Sequence, residues 1–139
     1  GGRVDAGAVA AAALYHDASE ILTGDMPTPI KYDNPAIRKA YKDVEAVAEE
    51  KLLHMLPQEF RPVYALILHP DAETEQLVKA ADKLSAYIKC VEELKAGNNE
   101  FREAAAQTRT ALEDYGLPEA AYFLETFLPS FSLTLDELK

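Results

Sequence analysis

Adjacent His16 and Asp17 pair an imidazole with a carboxylate near the end of an alanine-rich stretch. Glu20 follows four residues after His16, so a helix would bring all three side chains to one side. Imidazole and carboxylate are good ligands for divalent first-row metals, and the third carboxylate can reach a metal-bound water. A hydrogen-bonded histidine flanked by surface carboxylates explains the same residues without a metal, and it is the commoner situation for an isolated His-Asp pair.

Asp82 is a second carboxylate that calls for an explanation. It interrupts a predicted helix between Ala81 and Leu84, beside an apolar stripe. A carboxylate there costs stability unless a cation or a donor pairs with it. A salt bridge to Lys79 or Lys83 is one explanation, and a metal shared with His16 and Asp17 is the other.

A proline-rich segment follows the helix that carries His16. Asp25 opens it, and the sequence Met26-Pro27-Thr28-Pro29 predicts a rigid extended loop, because proline does not propagate a helix. Asp25 is either a turn residue or a functional one, and Thr28 is held between two prolines. Further on, Lys31, Arg38, Lys39 and Lys42 form either an anion-attracting patch or a solvated helix face.

The elements that position these residues are predicted to be helical almost throughout. Asp5, Asn34 before Pro35, Pro70-Asp71 and Asn98-Asn99 are start signals, and Thr134 with Glu137 fits a capping box. Apolar residues recur with helical spacing and no useful strand alternation is present. The prediction is a single all-α domain of about six helices, over residues 5–22, 35–56, 59–68, 71–96, 99–112 and 118–128.

Composition narrows the class of protein. The chain has 139 residues and a formal net charge of −10, the wrong sign for a protein that grips nucleic-acid backbone. No apolar run approaches the roughly 18 residues of a membrane span. A single cysteine, Cys90, and the lack of a signal-peptide pattern predict a cytoplasmic protein with no internal disulfide.

Three stretches carry a resemblance to a known family. They are LYHDASEILTGDMPTPIK (14–31), VKAADKLSAYIKCVEELKAGNNEF (78–101) and FLPSFSLTLDELK (127–139). In this order they resemble the HD-domain metal-dependent phosphohydrolases, and among these the bacterial 5′-deoxynucleotidases of the YfbR type. The resemblance implies hydrolysis of deoxyribonucleoside 5′-monophosphates by a cytoplasmic homodimer that uses cobalt, manganese or copper.

Carried over by position, the resemblance implies a role for each candidate residue. The metal ligands would be His16, Asp17 and Asp82, and Glu20 would be the catalytic acid or base. The nucleotide would contact Asp17, Asp82 and the loop residues Asp25, Met26, Pro27 and Thr28. Hydrolysis of other nucleotides by an HD domain, or an inactive helical interaction module, are the alternatives.

The chain departs from the family pattern at its start. The family's first motif histidine stands upstream of the His-Asp pair, as does an Arg-Trp pair that orients the substrate phosphate. Residues 1–15 contain no His and no Trp. The resemblance therefore predicts that residues 1–139 are an HD domain without its N-terminal helices, and the alternative is a three-ligand site that binds metal poorly.

Overall fold

The structure is a computed structural model that describes residues 4–31, 34–134 and 136–137, with Thr28 and Pro29 described by their backbone alone. This described part contains helices and no strand, so the all-α prediction is confirmed. None of its helices is long and apolar enough to cross a membrane. Its α-helical segments are α1 Ala6–Tyr15, α2 Glu20–Thr23, α3 Thr28–Lys31, α4 Pro35–Met55, α5 Arg61–Leu68, α6 Ala72–Lys95, α7 Arg102–Asp114, α8 Pro118–Thr126 and α9 Leu128–Phe131.

The chain divides into two compact units, residues 1–74 and residues 75–139. Each unit is described by itself below. That both belong to one domain over residues 1–139 stays a prediction.

The helices α1 and α4 begin at the residues that the sequence predicts. The Asp5 side chain accepts hydrogen bonds from the backbone N–H groups of Gly7 and Ala8, at 2.8 and 3.2 Å. The Asn34 side chain accepts from the N–H of Ile37 at 2.9 Å, and Pro35 is the first residue of α4. These side chains satisfy donors that have no partner within the helix.

The first helix is shorter than predicted. It ends at Tyr15 instead of continuing to Leu22, and residues 16–19 form a turn before α2. The N–H of Ala18 bonds to the carbonyl of Tyr15 and the N–H of Glu20 to that of Asp17, at 3.0 and 2.9 Å. These three-residue steps tighten the chain into a 3₁₀-like turn. His16 and Asp17 therefore lie in a turn, and the prediction of one helix that carries His16, Asp17 and Glu20 is wrong.

The proline-rich loop is also shorter than predicted. Residues 24–27 are without helical structure, as expected, but Thr28–Lys31 form the short helix α3. The carbonyl of Pro27 accepts from the N–H groups of Ile30 and Lys31, at 2.8 and 3.0 Å. Pro29 stands in the first turn of α3, where its missing N–H costs nothing, so proline is compatible with this helix.

In the first unit, α4 is the element on which the others pack. The helices α2, α3 and α5 contact α4, and α1 contacts α5. Tyr41 and Ala48 on α4 are buried, and the rings of Tyr15 and Tyr64 meet edge to face at 5.6 Å. The helix α4 therefore supports the segment of the chain that carries the candidate site.

The second unit has its own apolar core. Its centre is Leu112, which is 1% exposed, packed with Tyr87, Cys90, Ala105 and Leu128. Cys90 is buried in this core as a free thiol. The predicted last long helix is divided into α8 and α9 at Phe127. Half of the predicted Thr134–Glu137 capping box forms: the Glu137 carboxylate accepts from Thr134 N–H at 2.8 Å, while the Glu137 N–H donates to the backbone carbonyl of Thr134 at 3.1 Å.

Candidate active site

The His16 ring has an acceptor next to each of its nitrogens. Nδ1 lies 2.7 Å from the carbonyl oxygen of Ala13, and Nε2 lies 3.0 Å from a carboxylate oxygen of Asp17. A carbonyl oxygen only accepts hydrogen bonds, so Nδ1 must carry a hydrogen. Nε2 is therefore the ring nitrogen that faces the Asp17 carboxylate.

These two groups fit a divalent metal. A hydrogen bond from Nδ1 to a backbone carbonyl is the usual way to orient a metal-binding histidine, and it leaves Nε2 as the ligand. Two neighbouring ligand atoms of an octahedral ion, each about 2.1 Å from it, lie about 3 Å apart. The Nε2–Oδ2 separation of 3.0 Å is close to this value, and it is also the length of an ordinary hydrogen bond. Over the described ranges no group of three or more His, Cys, Asp or Glu side chains is found in such an arrangement, so the three-ligand set stays a prediction.

Glu20 is the first residue of α2 and its side chain is half-buried. Burial raises the pKa of this carboxyl, and the negative charges of Asp17, Asp25 and Glu45 raise it further, whereas Lys31 opposes the shift. A carboxyl with a raised pKa can hold or release a proton closer to neutral pH than an ordinary one, which is what general acid–base catalysis requires. The position of Glu20 beside Asp17 is therefore compatible with the predicted catalytic role.

The predicted substrate loop lies next to this group of carboxylates. Asp25 is exposed and close enough to Glu20 to raise the pKa of that carboxyl. Met26 is half-buried, Pro27 is exposed, and Thr28 begins α3. The contact of these residues with a nucleotide stays a prediction.

Asp82 lies on α6 in the second unit, and its side chain is exposed. Because solvent reaches this carboxylate, its position beside the apolar stripe does not by itself require a partner. Lys79, one of its two suggested partners, donates to Glu75, and the suggested salt bridge of Asp82 with Lys79 or Lys83 stays a prediction. The role of Asp82 as a metal ligand stays a prediction.

Three residues that the sequence did not single out as a group hold the loop in place. The Tyr41 hydroxyl donates to the carbonyl of Gly24 at 2.8 Å, and Lys31 Nζ donates to Glu45 at 2.9 Å. Lys31 Nζ also lies 4.5 Å from the centre of the Tyr41 ring. No local signal marks these pairs, because the partners are 14 and 17 residues apart. The suggested basic patch is not supported, since Lys31 pairs with Glu45 and Lys39 pairs with Asp43.

Comparison with known proteins gives a consistent answer. Residues 1–131 match the model of the family described as 5′-deoxynucleotidase YfbR-like. The 5′-deoxynucleotidase VV1113 of Vibrio vulnificus is 52% identical over 142 residues, which cover 99% of this chain and 73% of that protein. The 5′-deoxynucleotidase YfbR of Escherichia coli is 50% identical over 141 residues, which cover 99% of this chain and 71% of that protein.

The match runs through all of the stretches on which the resemblance rests, including the turn with His16 and Asp17. Both the extent of the family match and the identity to these relatives are well beyond what a shared short motif would give. The chain belongs to the YfbR-like 5′-deoxynucleotidase family.

Proposed function

We propose that this protein hydrolyses deoxyribonucleoside 5′-monophosphates to the deoxyribonucleoside and phosphate. Relatives that are about half identical over nearly the whole chain carry the name 5′-deoxynucleotidase. The observation that carries the proposal is the position of Glu20. A half-buried carboxyl with a raised pKa stands one turn after a His-Asp pair whose donor atoms suit a metal ion.

The proposal includes a divalent metal bound by His16, Asp17 and Asp82, with cobalt, manganese or copper as the candidate ions. The chemistry of the first two donors supports it, because Nε2 of His16 and a carboxylate oxygen of Asp17 converge at 3.0 Å. When bound, such an ion lowers the pKa of a water molecule and offsets the charge of the phosphoryl oxygens. This compensation suits a phosphate substrate in a chain whose net charge is −10.

In this mechanism Glu20 acts as the general base. Its carboxylate accepts the proton of the attacking water while the new oxygen–phosphorus bond forms. The bond between phosphorus and the 5′ oxygen breaks on the opposite side, where the leaving oxygen takes a proton from solvent, and Glu20 returns its own proton to solvent. The products are phosphate and a nucleoside with a free 5′ hydroxyl, so atoms and charge balance without a further reactant.

The substrate is proposed to contact Asp17, Asp82 and the loop that follows Gly24. Asp25, Met26 and Pro27 lie in that loop and Thr28 begins α3, and these four residues would enclose the sugar and its base. A pocket too tight for a 2′ hydroxyl would select deoxyribose. A pocket that instead offered a hydrogen-bond partner to the 2′ hydroxyl would favour ribonucleotides over deoxyribonucleotides.

The cellular setting is part of the same proposal. The family resemblance implies a homodimer in the cytoplasm. A single cysteine, Cys90, which is buried as a free thiol, suits a reducing compartment.

The activity is tested on the protein that carries these residues together with any natural sequence that flanks them. Metal is first removed with a chelator, and Co²⁺, Mn²⁺ or Cu²⁺ is then added back. Phosphate release is measured from deoxyribonucleoside and ribonucleoside 5′-monophosphates, and from cyclic nucleotides and nucleoside triphosphates. We expect metal-dependent turnover of the deoxyribonucleoside monophosphates, at least about ten-fold above that of the ribonucleotides.

The role of Glu20 is tested with Glu20→Gln, which keeps the shape of the side chain and removes its acid–base function. Its matched control is Glu59→Gln, an exposed carboxyl in the turn before α5. We expect kcat to fall about 10²- to 10⁴-fold in the first variant and to change less than two-fold in the second. Equal turnover of Glu20→Gln and the parent protein would exclude the assigned role, and preferred turnover of another nucleotide class would exclude the substrate.

A further inference from the structure

The segment Gly24–Lys31 is attached to α4 at both of its ends. At the first end the Tyr41 hydroxyl donates to the carbonyl of Gly24 at 2.8 Å, and at the second Lys31 donates to the Glu45 carboxylate at 2.9 Å. Tyr41 is only 7% exposed, and the side chains of Lys31 and Glu45 are 23% and 21% exposed. Both contacts are thus partly shielded from water, where hydrogen bonds and ion pairs count for more than at an open surface.

The two attachment points on α4 belong together. Tyr41 and Glu45 are one helical turn apart, about 6 Å along the axis, so they share a face of α4. Lys31 joins them, because its ammonium lies 4.5 Å from the centre of the Tyr41 ring while it bonds to Glu45. The short helix α3, closed by two bonds to the carbonyl of Pro27, lies between Gly24 and the side chain of Lys31.

We propose that Tyr41, Lys31 and Glu45 are positioning residues, which fix the ends of the loop Asp25–Thr28 so that it is already in place when the nucleotide binds. The proposal rests on the proposed function only for the identity of what the loop contacts. Pre-ordering a loop spares the substrate the cost of ordering it, and this gain appears in affinity and not in the chemical step. The three residues act through the backbone of the loop and do not themselves touch the reacting atoms.

The kinetic test uses Tyr41→Phe, which removes one hydroxyl and keeps the buried ring. We expect KM for a deoxyribonucleoside monophosphate to rise about five-fold, the effect of one hydrogen bond, while kcat stays within two-fold. The matched control is Tyr122→Phe, which removes the hydroxyl of a tyrosine that is 60% exposed on α8. An unchanged KM in Tyr41→Phe, or a fall in kcat with KM unchanged, overturns the proposal.

The ion pair separates a positioning role from direct contact with phosphate. Lys31→Met and Glu45→Gln should raise KM to a similar extent, the double variant should be no worse than either, and Lys31→Arg should recover most of the affinity. If Lys31 instead binds the phosphate directly, Glu45→Gln would lower KM and the proposal would be wrong. Lys39→Met is the control, because Lys39 also forms an ion pair along α4, with Asp43, but both side chains of that pair are exposed.

A measurement without substrate keeps this inference separate from the proposed function. Hydrogen exchange of the peptide that covers residues 24–31 should become faster in Tyr41→Phe and Lys31→Met, and stay unchanged in both controls. Faster exchange in a protein that turns over no deoxyribonucleotide would leave the attachment standing and reject the proposed function. Unchanged exchange in an active enzyme would reject the attachment alone.

Discussion

Replacing Glu20 by Gln should stabilise the fold at neutral pH while it removes most of the activity. The folded-state pKa of this carboxyl is raised above the ordinary value of 4.5, mainly by burial and then by Asp17 and Asp25. A group with a raised pKa disfavours the folded state once it is ionised, so its cost is present above the folded pKa. Below about pH 4 the carboxyl is protonated in the folded and the unfolded chain alike, and the cost disappears.

The size of the gain follows from the surroundings of Glu20. Its side chain is half-buried, so solvent screens the neighbouring carboxylates and the gain stays below about 1 kcal/mol. For a chain of this size that corresponds to a rise in Tm of at most about 4 °C. The favourable contact of a negative charge with a helix N-terminus works in the opposite direction, but α2 has only four residues and so contributes little. Burial and like-charge repulsion therefore decide the sign.

The assay is thermal unfolding of Glu20→Gln and of the parent protein at pH 7 and at pH 4. A chelator is present throughout, because a bound metal would stabilise the folded state by itself. Glu59→Gln, with an exposed carboxyl, shows the effect of the same substitution outside the site. A lower Tm of Glu20→Gln at pH 7, or the same rise in Tm at both pH values, would refute the reasoning.

Three further predictions concern stability and metal binding. Leu112→Ala should cost about 3–4 kcal/mol in urea unfolding, because this side chain is 1% exposed in a packed core, whereas Leu66→Ala, at 74% exposed, should cost less than about 0.5 kcal/mol. Gly24→Ala should lower the free energy of unfolding by about 1–3 kcal/mol, because Gly24 has a φ of 71°, which a side chain disfavours. An added Cβ would meet no atom within 4 Å, so the cost comes from the backbone conformation and not from a clash. A change below about 0.5 kcal/mol in urea unfolding would contradict this. Asp17→Asn should weaken Mn²⁺ binding at least about ten-fold in a calorimetric titration, and unchanged affinity would remove Asp17 from the ligand set.

The helix starts were predictable because their signals are local. A side chain that caps a helix needs only its own position and the next few N–H groups, and Asp5, Asn34, Asp71 and Asn98 all accept such bonds. The identity of the candidate site was likewise contained in one continuous stretch, residues 16–28. Spacing alone left a metal site and an ordinary hydrogen-bonded histidine both open, and the metal-dependent phosphohydrolase was indicated only by the resemblance of this and two other stretches to a known family.

The failed predictions depend on contacts that are distant in sequence or on hydrogen bonds that leave no trace in it. No glycine or proline marks the end of α1 at Tyr15, so the turn at residues 16–19 could not be found from helix-breaking residues. The exposure of the Asp82 side chain depends on which elements pack against α6, and the spacing of apolar residues along α6 does not show this. Predicting the attachment of the loop to Tyr41 and Glu45 would require knowing that α3 packs against α4, and the sequence does not show this.

The packing of α2 and α3 on α4 has a consequence for inherited variation in this protein. Helices of four residues do not persist alone in water, so the segment 20–31 takes its order from its neighbour. Loss of the Asn34 cap, which would fray the start of α4, lowers the stability of α4 by only about 1 kcal/mol. Such a variant should remain folded, but the segment 20–31 would be less well ordered and the activity would fall. Substitutions in α4 should therefore reduce activity before they reduce the amount of folded protein.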